Sequence, residues 1–152
     1  LFVQRTRTND FDFEVRVASL TCASAWTRAG LMARDGLATN ALFAASMATP
    51  GPAGCHFQSR TSEGGAATMA GSFPANYPDT WLRLRRVGNV FEGLASLDGE
   101  TWELLGSATI AMSATVQVGF VLTAGAPTGS GGAVPRCGQR QRGYGDESGV
   151  PL

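Results

Sequence analysis

The chain contains no lysine: all 12 basic residues are arginine, and 12 acidic residues balance them. The formal net charge of +0 leaves no bulk field of the kind a nucleic acid or an anionic membrane partner would require. The exclusive use of arginine reads as codon usage in a GC-rich genome rather than as selection for bidentate anion binding. Histidine occurs once, as His56, with no Gly-x-Ser-x-Gly elbow to accompany it, so a Ser/His/Asp triad has no basis. The 3 cysteines, Cys22, Cys55 and Cys137, include no CxxC pair. Neither a zinc site nor a disulfide framework is indicated, and a single bridge from Cys22 to Cys55 stays open. No apolar run approaches the length of a membrane span. The glycine-rich stretches lack a following Lys-Ser or a strand-to-helix context, so nothing supports a phosphate cradle. The residues that open the given sequence at Leu1 are not a basic-then-apolar leader. The sequence starts in mid-pattern without Met, so the chain is expected to be part of a longer protein whose targeting signal lies elsewhere.

What is present is turn chemistry and alternation. The 152 residues suit one compact domain, and 20 glycines with abundant Ala, Ser and Thr fit an extracellular β module. Phe11, Phe13, Val15 and Val17 interleave with Asp10, Asp12, Glu14 and Arg16, the mark of a strand with one buried and one wet face. Further strands are expected over 26–34, 41–48, 54–60, 66–71, 81–86, 90–96, 102–107 and 115–123. Pro50-Gly51-Pro52, Gly64-Gly65, Gly88-Asn89 and Asp98-Gly99 separate them, as in a sandwich or barrel. The 41–48 segment has the highest helix propensity but ends at Pro-Gly-Pro, and reads as a buried strand. Asp98-Gly99 is the strongest local hairpin signal, of the type I′ kind.

Carboxylates in catalytic arrangement are missing. Glycoside hydrolysis needs two of them facing each other across a groove, and no Glu-x-Asp-x-x-Glu pattern occurs. Asp10, Asp12 and Glu14 fall on the wet face of an ordinary strand, while Glu92, Glu100 and Glu103 sit in or beside a hairpin. No catalytic residue is expected, and the chain is read as no enzyme. Arg83, Arg85 and Arg86 are too few for a nucleic-acid surface, and alternation sends Arg83 and Arg85 to the face opposite Leu82 and Leu84.

Five stretches together resemble a jelly-roll module of the concanavalin A-like lectin and glucanase superfamily, akin to laminin-G-like and β-xylosidase C-terminal modules. They are Asp10-Phe-Asp-Phe-Glu-Val-Arg-Val, Ala25-Trp-Thr-Arg-Ala-Gly-Leu-Met-Ala-Arg34, Phe57-Gln-Ser-Arg60, Trp81-Leu-Arg-Leu-Arg-Arg-Val-Gly-Asn89 and Ser96-Leu-Asp-Gly-Glu-Thr-Trp102. The resemblance implies an all-β, two-sheet antiparallel jelly-roll sandwich over residues 1–126 and a bacterial source. The last stretch is similar to the Asp-box turn of sialidases, a structural staple in which Asp98 and Thr101 bond turn backbone above Trp102. A closing strand of the form aromatic-x-Asn-Val-x-Val is missing. With suitable codons, Gly138-Gln-Arg-Gln-Arg-Gly143 reads one base out of register as Ala-Asn-Val-Ser-Val. A frameshift is therefore expected there, with residues 127–152 a disordered tail.

The functional expectation is a binding face. With Ala29, Leu31 and Ala33 toward the core, Trp26, Arg28, Met32 and Arg34 point outward. With Phe57 inward, His56, Gln58 and Arg60 point outward too. Trp26, Arg28, Arg34, His56, Gln58 and Arg60 are the candidate ligand residues, since sugars pair apolar CH patches with directional hydroxyls. No metal or other cofactor is expected. Laminin-G-like kin often hold Ca²⁺ at a sandwich rim, but the loop residues Asp35, Asn40 and Asp79 match no calcium-loop spacing. The resulting expectation is a non-catalytic binding or adhesion module of a secreted or cell-surface protein, with carbohydrate or glycoprotein and adjoining domains as partners. Neither nucleic acid nor membrane insertion is expected. The rivals are a structural spacer without a small ligand and an accessory fragment of a glycoside hydrolase.

Overall fold

The computed structural model describes residues 1–21 and 27–123. Ten strands follow one another: β1 (Phe2–Thr8), β2 (Phe11–Val17), β3 (Arg28–Arg34), β4 (Phe43–Ala48), β5 (Cys55–Arg60), β6 (Thr68–Phe73), β7 (Thr80–Val87), β8 (Val90–Ser96), β9 (Glu103–Thr109) and β10 (Thr115–Thr123). They form two antiparallel sheets stacked as a sandwich. One sheet has six strands in the order β1-β10-β3-β4-β5-β6, and the other has four in the order β2-β7-β8-β9. Among the described residues there is no helix.

Period-two alternation builds the core between the sheets. Phe11, Val17, Leu82, Leu84 and Phe91 enter from the four-stranded sheet, and Ala29, Leu31, Ala33, Ala44, Phe57, Val116 and Val118 from the six-stranded one. Burying each large apolar side chain contributes about 1.5–3 kcal/mol, so this layer supplies most of the favourable free energy of folding. The polar partners of β2 and β7 stay outside as an ion-pair ladder. Arg83 grips Asp12 at 2.7 and 2.6 Å, and Arg85 donates from Nε to Glu92 at 2.8 Å. Arg16 pairs with Asp79 at 2.8 Å.

Strand β4 lies inside the six-stranded sheet, and all of its residues are buried. Its two faces differ in what they meet. Ala44 and Ala48 belong to the main core, whereas Phe43, Ala45 and Met47 form a second cluster on the outer side with Val121, Met32 and Phe2. An alanine-rich strand of high helix propensity is held extended because both neighbouring strands satisfy its backbone, and tertiary pairing overrides local preference.

Three expectations need correction. β1 was not among the expected strands: Phe-Val-Gln-Arg-Thr-Arg-Thr is an edge strand with five of its seven residues exposed, so it lacks the apolar period that reveals a buried face. β6 runs Thr68–Phe73 rather than 66–71, again at a sheet edge where burial imposes little pattern. Asp98-Gly99 is not a two-residue type I′ turn. Of that pair only Gly99 has positive φ, and the loop between β8 and β9 spans residues 97–102. The tight hairpin is instead Gly88-Asn89, flanked by the pair Val87↔Val90, with φ 59° at Gly88 alone as a type II′ turn demands.

The expected staple at the 97–102 loop is present in altered form. The Asp98 carboxylate accepts from the backbone N–H groups of Glu100 (2.8 Å) and Thr101 (2.7 Å) and from the Ser96 hydroxyl (2.7 Å), which together hold its pKa well below the usual carboxylate range. The ring under Gly99 is Trp81, while Trp102 lies against the Arg83 guanidinium at 5.3 Å. The expected disordered tail falls on residues outside the described ones.

Candidate binding face on the six-stranded sheet

Pairing register places side chains on the outer face in rows. One row runs Phe2, Val121, Gly30, Met47 and His56. The next runs Gln4, Gly119, Met32, Ala45, Gln58 and Met69. A third runs Thr6, Gln117, Arg34, Phe43 and Arg60. The floor is recessed: Ala45 (0%) and Met47 (1%) are buried although they point away from the sandwich core. Glycine is required at two points of this floor, because a Cβ on Gly30 or Gly119 would collide with the backbone carbonyls of Ser46 and Val3.

At one end of the face lies a cleft of ≈ 370 Å³ lined by Arg28, Thr49, Pro52, Ala53, His56, Met69, Gly71 and Ser72. Its wall is the loop between β4 and β5. Thr49 ties that loop shut, its backbone N–H and hydroxyl both donating to the Gly54 carbonyl at 3.0 Å, and the Tyr77 hydroxyl donates to the Thr49 carbonyl at 2.8 Å. Two prolines and these bonds make the wall a preformed surface rather than a loose flap.

His56 is 2% exposed, and its Nε2 is buried without a hydrogen-bond partner among the described residues. Burial, reinforced by the charge of Arg28, lowers its pKa to about 4, so the ring is neutral at physiological pH with one donor and one acceptor nitrogen. Arg34 and Arg60 stand beyond it, on either side of Phe43. Arg34 donates to the Ala38 carbonyl, and Arg60 to the carbonyls of Thr39 (2.8 Å) and Ala41 (3.3 Å) while its guanidinium covers the Phe43 ring at 5.2 Å. Both keep a buried Nε without a partner among the described residues.

The structure thus brings Arg28 and His56 together in the cleft and sets Gln58, half-buried, in the adjoining row. Arg34 and Arg60 share the face but also clamp the loop between β3 and β4. Trp26 lies outside the described residues, as does the Cys22 end of the Cys22–Cys55 bridge left open above. Cys55 itself is a free, buried thiol whose pKa burial pushes up to about 12. Sequence reading did not single out Thr49, Met69 or the Pro52-Ala53 wall. Continuing the alternation through β4 would have found Phe43, Ala45 and Met47 as the floor.

Among the described residues no group of three His, Cys, Asp or Glu side chains converges as metal ligands would. Asp35 accepts from the Ser113 N–H, Asn40 donates to Glu63, and Asp79 holds Arg16, each in a separate place.

Comparison with known proteins agrees on the fold. No protein-family model matches the chain, and no curated protein matches it. Among solved structures, a functionally unknown protein from Saccharomyces cerevisiae is similar with a TM-score of 0.60 at 24% identity, over 80% of this chain and 63% of that one. The GH43 protein BlXynB from Bacillus licheniformis is similar with a TM-score of 0.62 at 15% identity, over 77% of this chain and 24% of that one. A mutant of the same GH43 protein gives a TM-score of 0.57 at 13% identity, over 74% of this chain and 23% of that one. This chain therefore spans less than two thirds of each, and the shared feature is the antiparallel sandwich.

Proposed function

We propose that the chain is a non-catalytic carbohydrate-binding module of the concanavalin A-like jelly-roll type, carried by a larger secreted or cell-surface bacterial protein. The observation that carries this reading is the buried Nε2 of His56, without a hydrogen-bond partner among the described residues, in a cleft that also holds Arg28. A buried polar atom left unsatisfied costs about 1–3 kcal/mol, which a ligand hydroxyl would recover. The half-buried Met32 and Phe2, packed on the buried Met47 and Ala45, offer the apolar contact that sugar CH patches require, and Gln58 adds planar donors and acceptors beside them. Likeness in fold to a GH43 protein supports a role beside glycoside hydrolases, as an accessory unit rather than as the hydrolase. The described lining of the cleft contains no carboxylate, and hydrolysis of a glycosidic bond needs two. Docking on one shallow face is weak per site and gains strength from neighbouring modules.

A glycan-array screen of the chain, with Arg28→Ala and Gln58→Ala beside the parent, tests the reading. Binding that falls about tenfold or more in both variants is expected, as for loss of one ligand hydrogen bond from each. Silence from a folded sample would favour the structural spacer.

A further inference from the structure

The charge that cancels over the whole chain does not cancel within the six-stranded sheet. Its strands carry Arg5 and Arg7 in β1, Arg28 and Arg34 in β3, and Arg60 in β5, and no Asp or Glu at all. The strand carboxylates Asp12, Glu14, Glu92 and Glu103 all lie in the four-stranded sheet, where Asp12 and Glu92 neutralise Arg83 and Arg85. Pairing register puts Arg28, Arg34 and Arg60 on the outer face and sends Arg5 and Arg7 to the other side. Among the described residues none of these three outer-face arginines has a carboxylate in salt-bridge range. Among those residues Arg34 and Arg60 donate to neutral backbone carbonyls, and each keeps a buried Nε–H without a partner there.

We infer that the ligand of this face is an acidic saccharide, bearing a carboxylate of the uronate kind, bound with its charge toward Arg28. The inference rests on the carbohydrate reading above and sharpens it. Uncompensated guanidinium groups on a recessed apolar floor attract an anion more strongly than water-exposed ones, because the local dielectric is lower. A guanidinium also matches carboxylate geometry, and here it stands beside a buried imidazole with an unpaired nitrogen. Arg28 is the one charged side chain in the described cleft lining, so an anion bound there offsets the field that Arg28 exerts on His56.

The test compares tetragalacturonate with its fully methylated ester, which keeps the shape and removes the charge, by calorimetric titration of the full chain. The acid is expected to bind at least about tenfold more tightly than the ester, with the difference shrinking as salt is added and collapsing in Arg28→Gln. The acid is also expected to raise the titration midpoint of His56, whose imidazole signal is unambiguous because the chain has one histidine. The ester is expected to leave that midpoint in place. Equal or tighter binding of the ester overturns the acidic assignment and leaves the carbohydrate reading standing. Binding of neither sugar by a folded sample overturns the uronate assignment, and silence across the glycan array as well overturns the carbohydrate reading. Acetate binding as tightly as tetragalacturonate overturns the saccharide part. The acid-to-ester comparison uses the parent chain, so it decides the matter even if Arg28→Gln fails to fold.

Discussion

The Ser46 hydroxyl donates a 2.8 Å hydrogen bond to the backbone carbonyl of Arg83, tying the floor of the candidate face to the opposite sheet. Ser46 is wholly buried, in the strand that also presents Ala45 and Met47 to the outer side. Phe57 and Ser46 both close on Gly93 across the core, which leaves no room for a Cβ there.

Ser46→Ala removes the donor and leaves a buried carbonyl short of a partner. The expected loss is about 1 kcal/mol of unfolding free energy. Urea unfolding followed by fluorescence reads it as a lower midpoint with an unchanged slope.

Arg86 is the second internal fastener. It is 4% exposed, and its guanidinium donates to the carbonyls of Gly88 (2.8 Å), Ser113 (2.9 Å) and Met112 (3.3 Å) while lying against the Phe91 ring at 5.1 Å. One planar fork thereby satisfies acceptors from two loops at once. Arg86→Leu strands those carbonyls and is expected to cost about 2–4 kcal/mol. Arg86→Lys is expected to recover little, because the three donors of an ammonium sit on one nitrogen, whereas the guanidinium meets these carbonyls with three. Thermal unfolding of both variants checks the pair, and a Lys variant as stable as the parent would remove the argument from fork geometry.

His56 makes stability depend on pH in a defined window. Its folded pKa is about 4, against 6.5 for the free side chain. Between those values the unfolded chain binds a proton that the folded chain does not. This contribution is therefore complete above pH 6.5 and is lost as pH falls toward 4. Its full size is on the order of 2 kcal/mol, discounted for partial hydration. Carboxylates titrate in the same range, so the quantity to measure is the difference between parent and His56→Gln. The parent is expected to lose more stability than the variant between about pH 7 and pH 4.5, and parallel profiles would show that the ring is not held neutral.

The sandwich was legible in the sequence because most of its strands bury one face. Phe11 to Val17 and Trp81 to Arg86 alternate cleanly, and the structure sends each residue to the side the alternation assigns. Legibility fades where burial does. β1 and β6 are exposed edge strands, so nothing constrained their residue types enough to leave a period. The shared face of Arg28, His56 and Gln58 was legible, since all three alternate with core residues. The bonds of Arg34 and Arg60 to loop carbonyls left no trace, because a backbone acceptor has no sequence identity. The cleft wall was hidden for a related reason: its shape comes from backbone closure at Thr49 and Gly54 rather than from a motif.

The proposed function makes the outer face of the six-stranded sheet a saccharide-binding surface. The most direct measurement is amide chemical-shift mapping of the labelled chain titrated with the strongest glycan from the array. Perturbations are expected to concentrate at Arg28, Thr49, His56, Gln58 and Met69, with the ion-pair ladder of Asp12, Arg83 and Glu92 unmoved. Shifts confined to that ladder, or no saturable shift with any glycan, would contradict the proposed function.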